Sequence, residues 1–215
     1  MSVRRTYDTV ARAYDEALRD ELALKPLDRA LLTAVLESVG EGTVADVGCG
    51  PGHVTRFLAE RHPDVLGVDL SPAMVTIARR HAPGLPFVAA SMLDLPFRPD
   101  AFAGAVALYS IIHLGDAGRA RAFRELARVI RAGGPLLVAF HVESPEVAAG
   151  EVTHLSTWFG AAVDVDVRFL DPEVVSGDLV AAGFRVDATL LREPVPGAEF
   201  PSRRAYLVAR RSAEA

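Results

Sequence analysis

The chain has 215 residues, half of them hydrophobic and 24% charged, enough to bury one substantial core and close to the usual size of a single domain. A formal net charge of -5 and the absence of a basic run argue against a nucleic-acid partner, whose phosphates need a positive surface. One cysteine, Cys49, excludes an internal disulfide, and without a Cys/His cluster no metal site is expected.

The first residues carry Arg4 and Arg5 with no apolar segment behind them, so a secretory leader is not expected and the sequence reads as cytoplasmic. Helical spacing predicts two helices, over 7–19 and 25–39, the second with Leu27, Leu31, Val35 and Val39 on one stripe. Short apolar runs then alternate with amphipathic segments: strands at 44–47, 65–68 and 87–90, with helices over 53–61 and 72–80 between them. The pattern continues with a strand at 103–108, a helix over 117–130 and a strand at 136–140. Such alternation predicts an α/β domain with a parallel sheet, and the near-continuous apolar strands place the sheet centre there. The weakly polar run from Ala101 to Gly115 is too short to span a membrane, so no insertion is expected.

Ser71-Pro72 and Asp171-Pro172 each offer an N-cap followed by proline, opening helices over 72–80 and 172–182, and Gly183 stands where a terminating glycine belongs. Strands at 184–191 and 205–209 should close the domain as an antiparallel pair. The segment 142–170 is far longer than an ordinary connection and is expected to act as a substrate lid. It reads as amphipathic, with His154 and Trp158 four apart on one helical face as candidate acceptor contacts; core packing is the competing role for Trp158. The whole is expected to be one domain over 1–215: a helical cap (1–40), a cofactor-binding core (41–141), the insertion (142–170) and a closing helix with two strands (171–215).

The most informative run is Asp46-Val47-Gly48-Cys49-Gly50-Pro51-Gly52, between the first core strand and its helix. Alternating glycines let backbone turn tightly against a ligand beside the unpaired N–H groups of a helix start. The third glycine is out of register for the dinucleotide fingerprint, which disfavours an NAD-dependent oxidoreductase. Asp46 adds an acceptor suited to a cationic ligand end. Asp69, ending the next strand, can accept two ribose hydroxyls. Beyond the third strand, Ser91-Met92-Leu93-Asp94 can place Met92 and Leu93 around an adenine, with Asp94 accepting from its amine. These acids stand in order at the carboxyl ends of successive strands, where ligands bind in open α/β sheets.

Together with Val68-Asp69-Leu70-Ser71, Met92-Leu93-Asp94-Leu95-Pro96-Phe97 and Arg128-Val129-Ile130-Arg131-Ala132-Gly133-Gly134, this run resembles the class I S-adenosylmethionine-dependent methyltransferases. It is most similar to their small-molecule subgroup, which includes the ubiquinone and menaquinone biosynthesis enzymes. The resemblance spans about residues 5–141. It implies a Rossmann-like seven-stranded sheet of order 3-2-1-4-5-7-6 with the last strand antiparallel, and helices on both faces. It implies S-adenosylmethionine as methyl donor and S-adenosylhomocysteine as product. Asp46, Gly48, Cys49, Gly50, Pro51 and Gly52 would surround the methionine part and Asp69 the ribose, with Leu70, Met74, Ser91, Met92, Leu93 and Asp94 completing the nucleoside side. Leu108 and Tyr109 would offer backbone contacts to the methionine end. The opening Tyr7-Asp8…Ala11…Tyr14-Asp15 resembles the subgroup's N-terminal motif, whose tyrosines cover the cofactor; packing on the cap is the other role open to Tyr7 and Tyr14.

Methyl transfer from a sulfonium needs alignment and dryness more than a strong base. If the acceptor is a hydroxyl, His113 and His141, each following a core strand, are the candidate general bases; a loop-bonding role competes for both. Cys49 reads as a packed residue, not a nucleophile. The acceptor is expected to be a small, partly apolar molecule, its nucleophile O, N, C or S, and the chain a monomer or homodimer. A binding domain without turnover remains the rival from another class.

Overall fold

In a computed structural model the described residues are 2–213; Met1, Glu214 and Ala215, at the ends of the expected domain, lie outside them. Two helices open the chain, α1 (Val3–Leu18) and α2 (Pro26–Ser38). Ser2 caps the first, and Pro26, in the first turn of the second, gives up no needed N–H. The core follows as β1 (Val44–Val47), α3 (His53–Ala59), β2 (Val65–Asp69), α4 (Pro72–His81), β3 (Phe87–Ala89), β4 (Gly104–Leu108), α5 (Asp116–Val129) and β5 (Pro135–Glu143). Then come β6 (Val152–Trp158), β7 (Ala161–Arg168), α6 (Pro172–Ala181), β8 (Phe184–Arg192) and β9 (Arg203–Arg211). Ser71 and Asp171 cap α4 and α6 as the sequence predicts, and Gly183 follows α6 at a φ of +96°.

The main sheet runs β3-β2-β1-β4-β5-β9-β8. The first five strands are parallel, and β9 lies antiparallel between β5 and β8. With the two insertion strands set aside, this is the expected 3-2-1-4-5-7-6 order. Along β5 the side chains alternate between two cores: Leu136, Val138 and Phe140 meet Phe123 and Leu126 of α5 and Val175 and Leu179 of α6, while Leu137 and Ala139 face Leu32 and Val35 of α2 and Leu58 of α3. Burial on both faces explains the unbroken apolar run of β5, each such side chain contributing roughly 1.5–3 kcal/mol.

The helical reading of the insertion is corrected: β6 and β7 form a separate antiparallel hairpin. Val163, Val165 and Val167 alternate with Asp164 and Asp166, a period of two that a helix cannot place on one side. Phe159 and Gly160 turn the chain at φ +48° and +76°, the two left-handed positions of a tight primed turn. A bulge between Leu155 and Thr157 shifts the register. Trp158 therefore joins Leu155, Val163 and Val165 against Val10 and Tyr14 of α1, whereas His154 is exposed beside Asp164 and Asp166.

Candidate active site

The site forms at the carboxyl ends of β1, β2, β4 and β5. After β1 the loop folds back on β2, Gly48 and Cys49 both donating N–H to the Val68 carbonyl at 2.7 and 3.0 Å. Gly48 has φ +86°, and a Cβ there would stand 2.2 Å from Ser110 Cβ; only glycine admits this approach. Asp69 holds the loop from below, accepting from Gly50 N at 2.8 Å and Ser71 N at 2.7 Å. Asp46 accepts from the Thr55 hydroxyl at 2.6 Å. Burial pushes both carboxyls up to about 6, the backbone N–H donors opposing this at Asp69 and the Thr55 hydroxyl at Asp46.

Helix α1 lies over this loop and is tied to both ends of α4. Asp8 accepts from Ser71 Oγ at 2.6 Å and Ala73 N at 3.2 Å, a carboxylate at a helix N-terminus. Asp15 meets His81 Nε2 at 2.9 Å. The α1 tyrosines point into the cleft, Tyr14 within 4 Å of the position of a Gly50 Cβ, and both pack edge-on against Trp158. Burial holds both phenols far above their usual range.

Two cavities meet here. Asp46, Gly48, Cys49, Gly50 and Leu108 line the inner one, with His53, whose Nδ1 is buried and has no hydrogen-bond partner. The outer one, about 270 Å³, is walled by Tyr7, Trp158, Phe159, Phe200 and His141, with Lys25, Glu199 and Arg204 at its edge. Tyr14, Glu21 and Tyr109 line both. Tyr109 takes a left-handed φ of +54° directly after β4, a strained position for a bulky residue. Its hydroxyl meets that of Tyr206 at 2.9 Å, and Tyr206 donates to Asp28 at 2.8 Å and accepts from Arg192.

The candidate bases occupy different places. His113 stands behind Tyr7: its Nδ1 lies 2.7 Å from the Asp166 carbonyl, which can only accept, so Nε2 accepts from the Tyr7 hydroxyl, also at 2.7 Å. Burial lowers its pKa, against the pull of Asp166. His141 lines the outer cavity, its Nδ1 2.6 Å from Ser202 Oγ; burial, then the charges of Arg204 and Lys25, bring its pKa down to about 3.

Of the expected nucleoside contacts, Met92 and Leu93 are half-buried beyond β3 and Asp94 is exposed. The turn is closed by Ser91, whose carbonyl accepts from Asp94 N at 3.1 Å. Leu70 is exposed and Met74 wholly buried; neither lines these two cavities, nor do Pro51, Gly52, Asp69, the 91–94 turn, His113 or His154. Sequence reasoning missed Glu21, Lys25, Asp28, Arg192, Glu199 and Arg204. No local motif marks them, since they converge only through the packing of α2, β8 and β9.

Residues 44–134 match the family described as a methyltransferase domain. Demethylmenaquinone methyltransferase of Beutenbergia cavernae is 32% identical over 62% of this chain and 55% of its own. Malonyl-[acyl-carrier protein] O-methyltransferase of Halorhodospira halophila is 34% identical over 87% of this chain and 62% of its own. The chain thus spans between half and two-thirds of the length of these curated relatives. A solved SAM-dependent methyltransferase from Methanosarcina mazei shares the fold, with a TM-score of 0.72 at 18% identity over 84% of this chain and 98% of that one. The core of the chain, residues 44–134, is thus that of a methyltransferase domain, and the fold around it is that of the class I S-adenosylmethionine-dependent methyltransferases. The residues fit the cofactor such a domain implies: backbone at Gly48 and Gly50 open to close approach, the buried Asp46 carboxyl beside them for an ammonium, and Asp69 at the end of the neighbouring strand for a ribose.

Proposed function

We propose that this protein transfers a methyl group from S-adenosylmethionine to a small-molecule acceptor in the outer cavity. The observation that carries this reading is the junction of the two cavities at Tyr14, Glu21 and Tyr109, so that a methionine end beside Asp46 and an acceptor among the aromatic walls can meet end to end. When bound, the cofactor supplies an electrophilic methyl group on sulfur. The chain's own part is to align and to exclude water: α1, tied to α4 by Asp8 and Asp15, covers the crevice, and the hairpin braces α1 through Trp158. Tyr7, Tyr14, Gly48, Gly50, Asp46 and Asp69 are the proposed cofactor contacts, with Ser91, Met92, Leu93 and Asp94 at the adenine end. Trp158 and His141 are proposed on the acceptor side.

As bases both histidines are poorly prepared. His113 has both nitrogens engaged, and His141 binds a proton too weakly to draw one from an alcohol. His113 is assigned the positioning of Tyr7, and His141 the shaping of the wall. The names of the relatives point to a quinone-type ring in one case and an acyl-carrier-bound malonyl group in the other; the first supports a small-molecule acceptor, the second a small group tethered to a carrier. No described helix is long and apolar enough to cross a membrane. A cytoplasmic site of action is part of the same proposal, supported by the free thiol of Cys49.

Calorimetric titration of the protein with S-adenosylmethionine and S-adenosylhomocysteine, with NAD as control, tests the reading. Saturable binding of the first two, weakened at least about tenfold in Asp69→Ala through loss of charged hydrogen bonds, is the expected result. Binding of NAD in their place, or of none of the three by a folded sample, would overturn it.

A further inference from the structure

At the polar edge of the outer cavity the two carboxylates, Glu21 and Glu199, are engaged on both oxygens, while the cations keep spare donors. The Glu199 carboxylate faces Arg192 at 2.5 and 3.2 Å, Lys25 at 3.3 Å, Arg204 at 3.2 Å and the Val195 N–H at 2.6 Å. Glu21 is used on both oxygens, by Lys25 at 2.5 Å and His53 at 3.0 Å. Both acids are held down to about 2: their burial opposes this, but the surrounding cations and hydrogen bonds prevail. Asp28, the third carboxylate, lines the inner cavity instead: its Oδ1 accepts from Tyr206, and its Oδ2 lies 3.3 Å from Arg192 with no aligned donor.

The donors are less fully spent. Arg204, 2% exposed, gives one hydrogen bond each to the carbonyls of Ser202 and Phe200, while its Nε is buried with no aligned partner. A guanidinium has five N–H groups and an ammonium three, so both Arg204 and Lys25 keep capacity beyond these contacts. The two cations flank Tyr109, 5.8 and 5.7 Å from its ring centre, at the junction of the cavities. Their field is felt on the same wall, where it helps keep His141 uncharged.

The remaining walls are aromatic. Trp158 and Phe159 stack at 5.3 Å, and Phe200 stands edge-on to His141. Such a slot accommodates a flat apolar body.

We propose that the acceptor is a flat, apolar molecule that enters already ionised, as a carboxylate or an acidic phenol, is held through that oxygen by Lys25 and Arg204, and is methylated on it. This rests on the methyltransfer reading above. An oxygen lone pair forms the new C–O bond as the C–S bond breaks, its electron pair staying on sulfur. Anion and sulfonium become a neutral ester or ether and a neutral thioether, with no proton to move. That accounts for a cavity in which neither histidine is arranged as a base.

The test is calorimetry at neutral pH with saturating S-adenosylhomocysteine, using naphthalene carboxylate, its neutral amide, a nitronaphthol that is ionised under these conditions, and naphthylmethylammonium. The carboxylate, the naphtholate or both should bind at least about tenfold more tightly than the amide, as a charge-assisted contact requires. Lys25→Met and Arg204→Met should each erase that preference while still binding S-adenosylhomocysteine. Should Arg204→Met not fold, Lys25→Met and the ligand series on the unaltered chain decide the matter. Mass detection of a methyl ester or a methyl ether, with S-adenosylmethionine present, separates the two oxygen sources. Equal or tighter binding of the amide or the ammonium, or no probe binding to a chain that binds S-adenosylhomocysteine, would overturn the proposal. Failure to bind S-adenosylhomocysteine at all would instead sink the methyltransfer reading.

Discussion

Asp46 is a buried carboxyl that costs the folded chain stability unless something cationic meets it. Its folded pKa, raised by burial to about 6, exceeds that of an unfolded aspartate, so the native state binds more protons between about pH 4 and 6. Stability therefore falls as pH rises through that window, and the full cost is present above it. Asp46→Asn keeps an acceptor for Thr55 Oγ but removes the charge. Without cofactor, the variant should gain on the parent by about 2 kcal/mol between pH 4.5 and 7.5 in urea unfolding, and S-adenosylmethionine should stabilise it less than the parent. A pH-independent difference would show that Asp46 is not desolvated as the fold places it. Asp69 belongs to the same class, its two backbone donors offsetting part of the burial cost.

At the scale of elements, α1 behaves as a cover with few anchors. Its core contacts run through Val10, Tyr14 and the hairpin, and its polar ties through Asp8 and Asp15 to α4 and through Tyr7 to His113. Trp158→Ala empties the middle of the aromatic cluster and should cost about 2 kcal/mol, on the low side for a tryptophan because Trp158 is only half-buried. The loss should appear locally: hydrogen exchange of residues 3–18 should accelerate, while β1, β4 and β5 keep their protection. Uniform acceleration across the sheet would mean that the cover and the core unfold as one unit.

For the molecule as a whole, Tyr206 is the link between the closing strands and the site. Its hydroxyl, on a 1% exposed side chain, joins Tyr109 after β4, Asp28 on α2 and Arg192 on β8. Tyr206→Phe leaves three buried polar groups short of a partner and should lower global stability by about 2 kcal/mol. Because Tyr109 borders both cavities, it should also weaken S-adenosylhomocysteine binding; a variant that loses neither stability nor affinity would show that this network is dispensable.

Local chemistry was enough to read the sheet and the glycine loop: strands buried on both faces carry continuous apolar runs, caps and prolines mark helix starts, and alternating glycines at 48–52 mark a turn, although the side chain that requires Gly48, Ser110, comes from beyond β4. The period of two in 161–168 was also present, but Phe-Gly is not a usual hairpin turn pair, and the bulge that turns Trp158 inward has no one-residue signature. The ion network could not be read at all. Glu21 and Lys25 come from the start of the chain and Arg192, Glu199 and Arg204 from its end, and charged residues are ordinarily solvated. Only when β9 inserts antiparallel beside β5 are they buried together, since a buried charge is tolerated only where other elements supply its partners.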